Sequence, residues 1–104
     1  MAVNQFETMT EALENLKNRG FTNSFKIEED GAKSIETGEL IKPEDIIIVE
    51  YHRFEGDSNP DDMSVVYAVE SAQGMKGTFV DAYGTYSNPH INGFLKKVKF
   101  KKGI

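Results

Sequence analysis

Apolar residues recur along the chain with two periods, and the change from one to the other divides it. Met9, Ala12, Leu13 and Leu16 stand three or four apart, which places them on one stripe of an α-helix. Thr8-Met9-Thr10-Glu11 has the form of a capping box, in which Thr8 accepts from the backbone three residues on and Glu11 reaches back. Gly20, after Lys17 and Arg19, supplies the stop. The spacing therefore predicts an N-terminal helix between Thr8 and Gly20. From Phe21 the period falls towards two. Phe25 and Ile27 alternate with polar neighbours ahead of a Glu28-Glu29-Asp30-Gly31 turn, and Ser34-Ile35-Glu36 and Leu40-Ile41 are weaker strand signals around Thr37-Gly38. Pro43-Glu44-Asp45 reads as a turn, because proline fixes φ.

Three stronger strands are expected over about 46–55, 63–71 and 76–82, joined by a polar loop at 56–62 and a tight turn at Gln73-Gly74. Links this short favour antiparallel pairing, since a parallel return needs a crossover of about a dozen residues or more. Asn88-Pro89 opens a short helix over 89–96, and the alternation Lys97-Val98-Lys99-Phe100-Lys101 suits a short edge strand over 97–101 guarded by lysine. The expected fold class is α+β: one domain over 1–104, with the N-terminal helix packed on an antiparallel sheet of four or five strands and a short C-terminal helix.

Register decides which side chains share a face. With a turn centred on Gln73-Gly74, Val66 lies opposite Asp81 and Tyr67 opposite Val80; with a symmetric 56–62 loop, His52 lies opposite Val66 and Tyr51 opposite Tyr67. One face then carries Ile47, Val49, Tyr51, Val65, Tyr67, Val69, Val80 and Ala82, the face expected beneath the N-terminal helix. The other carries Glu50, His52, Phe54, Glu70, Phe79 and Asp81. His52 and Asp81 would face the same way two strands apart, roughly 10 Å at about 4.8 Å per strand, so a ligand bridges them more readily than a direct bond. His52, Arg53, Asp81 and Tyr83 are the candidate ligand-binding residues on this reading. A polar, solvated face is the alternative, and a one-residue slip of either turn changes the assignment.

Charge narrows the classes. Seventeen acidic against 12 basic residues give a net charge of -5, yet residues 91–104 hold five lysines and no acid. An acidic body lacks the basic footprint that a phosphate backbone needs, so no nucleic-acid partner is expected. The lysine-rich end relieves self-repulsion and blocks edge-to-edge pairing. Without cysteine, thiolate metal sites, disulfides and cysteine nucleophiles are excluded. No apolar run approaches the ~20 residues of a bilayer span, and Met1 to Thr10 have no basic and apolar signal pattern. These absences lead to the expectation of a soluble cytoplasmic protein with no membrane partner.

Two segments carry candidate chemistry. Asp57, Asn59 and Asp61 match the first, third and fifth ligands of a calcium loop, but Asp62 stands at the glycine position and Ala68 at the bidentate glutamate. Asp57, Asn59, Asp61 and Asp62 are thus the candidate ligands of a hydrated cation, or else acids that form Asx turns in a stiff, soluble loop. In Phe79-Val80-Asp81-Ala82-Tyr83-Gly84-Thr85, an aspartate ends an apolar strand. Asp81, Gly84 and Thr85 match part of a phosphoribosyl-pyrophosphate loop, and Tyr83 stands where the acid/base of an aspartyl phosphatase belongs. Tyr83, Tyr86 and His90 line a pocket or pack a loop on the sheet edge. No nucleophile elbow accompanies the two histidines.

Arg53-Phe54-Glu55-Gly56, Ser58-Asn59-Pro60-Asp61-Asp62 and Val80-Asp81-Ala82-Tyr83-Gly84 together resemble a family of short, uncharacterised bacterial proteins of about this length. The early helix and the Pro43 turn extend the resemblance over most of the chain. Members of that family are often labelled phosphoribosylpyrophosphate synthetase, a label that implies pyrophosphoryl transfer from ATP to ribose 5-phosphate. This chain shows no recognisable ATP-binding segment and no complete phosphoribosyl loop. The expectation is therefore a non-enzymatic binding or protein-interaction module with no cofactor, in one form a homodimer through an exposed sheet edge. The alternative is a small-ligand or phosphometabolite-binding protein, or a weak enzyme, that uses the His52/Asp81 face.

Overall fold

A computed structural model describes residues 8–54, 64–82 and 89–102. The first element is α1, Met9–Asn18. Thr8 Oγ1 accepts from the Glu11 amide at 3.2 Å, as the capping pattern requires. At the other end the Phe21 amide reaches the Leu16 carbonyl at 2.9 Å and the Gly20 amide reaches Lys17 at 3.1 Å. Those two bonds form a Schellman motif, and its apolar contact is present: Leu16 and Phe21 belong to one buried cluster.

Seven strands follow: β1 Asn23–Glu28, β2 Gly31–Ser34, β3 Leu40–Ile41, β4 Ile46–Phe54, β5 Ser64–Ser71, β6 Lys76–Ala82 and β7 Lys99–Phe100. A 3-10 turn over Pro43–Asp45 precedes β4, and the second helix, α2, spans Pro89–Lys97. The strands form one curled sheet in the order β3-β2-β1-β6-β5-β4-β7. The class is α+β, as expected, but the expected four or five antiparallel strands are corrected to seven in a mixed sheet. Two pairs are parallel, β1 with β6 and β4 with β7. Both join strands distant in sequence, so short-link reasoning does not reach them.

The β4–β5 register is the expected one, with Tyr51 opposite Tyr67 and His52 opposite Val66. The β5–β6 register is not. Val65 lies opposite Asp81, Val66 opposite Val80 and Tyr67 opposite Phe79. The hairpin closes through the Ser71 amide on the Met75 carbonyl at 2.8 Å, which makes a three-residue loop of Ala72, Gln73 and Gly74. Gly74 has φ +90, the left-handed position such a loop needs. One residue more in the turn reverses the facing of all of β6 relative to β5. A bulge between Ile48 and Glu50 also shifts the facing within β4.

Both faces of the sheet are therefore apolar, each under its own helix. On one, α1 buries Leu16 and Phe21 against Val66 and Ala68, with Val49, Phe54 and Val80 alongside. On the other, Ile91, Phe94 and Val98 join Phe25, Ile27, Ile46, Ile48, Val65, Tyr67, Val69 and Phe79. The expected burial of Tyr51, Val65, Tyr67 and Val69 beneath the N-terminal helix is thus corrected: they lie on the α2 side.

The parallel β1–β6 pair extends over two positions only, Asn23 with Gly77 and Ser24 with Thr78. A Cβ on Gly77 would come to 2.4 Å from the Asn23 carbonyl oxygen and 2.5 Å from the Phe25 ring. Gly77→Ala is accordingly expected to destabilise the fold by roughly 1–3 kcal/mol through overpacking, read as a lower urea midpoint.

Candidate functional site

The polar side chains that enter the sheet faces fall into three groups. On the α1 side, Glu50 and His52 project from β4 past the bulge. The Arg19 guanidinium, from the C-terminal cap of α1, donates to Glu50 Oε2 at 2.6 Å, and His52 Nε2 lies 2.5 Å from the same oxygen. His52 is 4% exposed. Burial alone pushes the Glu50 carboxyl up, but the Arg19 guanidinium and the His52 ring outweigh it and hold the group below its ordinary value. This oxygen joins helix to sheet: one carboxylate takes the helix cation from one side and the strand imidazole from the other. Phe21 lies between two cations, with the Arg19 guanidinium 5.9 Å and Lys76 Nζ 5.3 Å from its ring centroid.

On the α2 side Asp81 is buried, opposite Val65. Arg53 lies opposite Val65 from the other neighbour, so Arg53, Val65 and Asp81 make one cross-strand row. Desolvation raises the Asp81 carboxyl above its ordinary range. The expected His52/Asp81 face is corrected here. His52 pairs with Val66 and Asp81 with Val65, and adjacent residues of β5 point to opposite faces. The structure keeps Arg53 with Asp81 and takes His52 away from both. Tyr83, Asp57, Asn59, Asp61 and Asp62 lie outside the described residues. Among the described residues no three His, Asp or Glu side chains converge on a metal position.

Two shallow grooves accompany these groups. One, of about 200 Å³, lies between the end of β1 and α2 and includes Glu28, Glu29, His90 and Lys97. The other, of about 180 Å³, lies beside Ile47, Glu70 and Lys99. Sites for drug-sized ligands run to roughly 300–1,000 Å³, and neither groove contains His52, Arg53 or Asp81.

The third group is on the α1 side of β1, β2 and β3, which α1 does not cover. Lys26 lies opposite Lys33, and Lys33 opposite Leu40, so the three side chains form a row across this outer wing. Leu40 is 45% exposed and the neighbouring Ile35 67%. Sequence reading missed this row because it placed the second strand at 34–36 instead of Gly31–Ser34. The signal was the Glu29-Asp30 pair: closing the hairpin on two residues puts Lys26 opposite Lys33. Glu50 and Arg19 were likewise not read as partners of His52, since 31 residues separate Arg19 from Glu50.

Neither a protein-family model, a curated protein nor a solved structure matches this chain.

The half-buried Glu50 and the buried Asp81 are expected to tilt stability in opposite directions with pH. Glu50 titrates lower in the fold than in the unfolded chain, so its stabilisation is present above the unfolded value and is lost as pH falls through the folded one. Glu50→Gln should lower Tm at neutral pH, with the difference closing in acid. Asp81 titrates higher in the fold, so its ionisation costs stability above the raised value, and that cost vanishes as pH falls through it. Asp81→Asn should raise Tm at neutral pH and converge with the parent in acid, as read by thermal unfolding across a pH series.

Proposed function

We propose that this chain is a non-enzymatic binding module that acts on another protein through its surface. The observation that carries this reading is the face of β1–β3 that no helix among the described residues covers, where Leu40 stays in solvent, with Ile35 exposed in the turn after β2. Exposed apolar residues gathered on one face favour an interaction site over a solvated surface. The separation of His52 from Asp81, and the engagement of His52 by Glu50, support the non-enzymatic half. A phosphometabolite draws no help from Asp81, because a buried carboxylate repels phosphate. The phosphoribosylpyrophosphate synthetase reading needs room for ATP and ribose 5-phosphate together, and the two grooves among the described residues are small for either.

Self-association through a sheet edge is a second reading, favoured by Phe100, 48% exposed on the edge strand β7. Lys99 and Lys101 flank Phe100 and oppose such pairing. Size-exclusion chromatography of the tagged chain in extract of its native cells separates these readings. Elution in a protease-sensitive complex with other polypeptides is the expected result. Elution at the mass of a homodimer favours the second reading. A free monomer that gains saturable thermal stabilisation from ATP or ribose 5-phosphate overturns both.

A further inference from the structure

We infer that the outer wing binds an acidic, extended polypeptide segment carrying an apolar residue, which lies across Lys26, Lys33 and Leu40 with Ile35 at its border. This rests on the binding-module reading and names the partner's chemistry. Lys26 and Lys33 are directly opposed on adjacent strands, an arrangement that like-charge repulsion disfavours. Among the described residues neither forms an ion pair. Glu36, in the turn after β2, is already engaged: its Oε1 accepts the Ser24 amide at 2.8 Å, and that bond above all holds the carboxyl low. Two unneutralised ammonium groups thus stand beside two exposed aliphatic side chains, on a chain whose net charge is -5.

Charge complementarity selects an anion, and Leu40 with Ile35 selects one with apolar side chains. A nucleic acid fits less well. The row offers aliphatic groups where bases need aromatic platforms, and Phe21 is buried beneath α1. An extended peptide presents every second side chain on one face, about 6.7 Å apart, so a carboxylate and an apolar group two residues apart reach the lysine pair and Leu40 together.

The test uses the full chain and a fluorescein-labelled peptide of Glu-Ser-Leu-Ser repeats, which places glutamate and leucine on the same face of an extended chain, followed by anisotropy at low and high salt. Saturable binding that weakens with salt is expected. Lys33→Glu should reduce affinity about five- to tenfold, on the scale of one to two lost surface ion pairs. The same variant should unfold at a higher temperature than the parent, because it turns the opposed lysines into a complementary pair, so lost binding cannot be ascribed to lost fold. Leu40→Ser should weaken binding without changing its salt dependence. Equal binding of a lysine–leucine peptide, tighter binding of a single-stranded oligonucleotide, or no effect of Lys33→Glu overturns the assignment. If the acidic peptide fails to bind while the native complex persists and survives Lys33→Glu, the partner chemistry is wrong and the binding-module reading stands.

Discussion

The seam between β1 and β6 is the constraint on which the rest of the sheet depends. It joins two units that are each antiparallel, the β1–β3 wing and the β4–β6 meander, and does so through two residue pairs. Backbone hydrogen bonds contribute only about 0.5–1.5 kcal/mol net apiece, so the joint needs other support. Asn23 supplies some of it: Nδ2 donates to the Lys76 carbonyl at 2.9 Å, while Oδ1 accepts from the buried Ser34 hydroxyl at 3.2 Å. Ser34 in turn accepts from the Thr37 amide at 3.3 Å, which ties the end of β2 to the seam. Gly77 lets the strands approach, since any side chain there meets Asn23 and Phe25.

From the α2 side, the helix spans this joint. Phe94 meets Phe79 of β6 edge-on, with ring centroids 5.5 Å apart, and shares a core with Phe25 and Ile27 of β1. Phe79 stacks on Tyr67 at 4.7 Å, which continues the aromatic contact into β5. α2 therefore bridges a junction that backbone pairing alone leaves short. α1 covers the meander but not the wing, so among the described residues no helix lies on the face opposite α2 over β1–β3.

Element types were largely legible in the residues. The Met9–Leu16 stripe, the caps at Thr8 and Gly20, and the strands around Val49, Tyr67 and Phe79 follow from period and turn chemistry. What faces what was not legible, and the reason is physical. Alternation fixes register when one sheet face is polar, but both faces here carry apolar side chains, so Val65 and Val66 are equally acceptable opposite Asp81. The deciding facts are one extra turn residue before Gly74 and one bulged residue at Val49, and neither alters hydropathy. That single residue is the difference between a shared His52/Asp81 face and a sheet that separates them. The parallel pairs were hidden for another reason: Asn23 meets Gly77, and Ile47 meets Lys99, across distances in sequence that local signals do not span.

The lysines of this acidic chain divide by their place in the sheet. Lys99 belongs to β7, an edge strand, and Lys101 follows it, donating its amide to the Ile48 carbonyl at 2.8 Å. Charge there discourages further strand addition, which is a sufficient account of them. That account fails for Lys33, which lies between Lys26 of β1 and Leu40 of β3 and so guards no edge. Lys26 stands beyond the two positions at which β1 pairs with β6, but it directly opposes Lys33. Relief of net negative charge fails as well, because it favours cations dispersed among acids over two in direct opposition. An exposed like-charge pair inside the sheet lowers stability, and Leu40 in the same row adds solvent-exposed apolar area. Two unfavourable features at adjacent positions are mutually explained by an anionic, partly apolar partner, and that coincidence distinguishes the wing from the lysine-rich end.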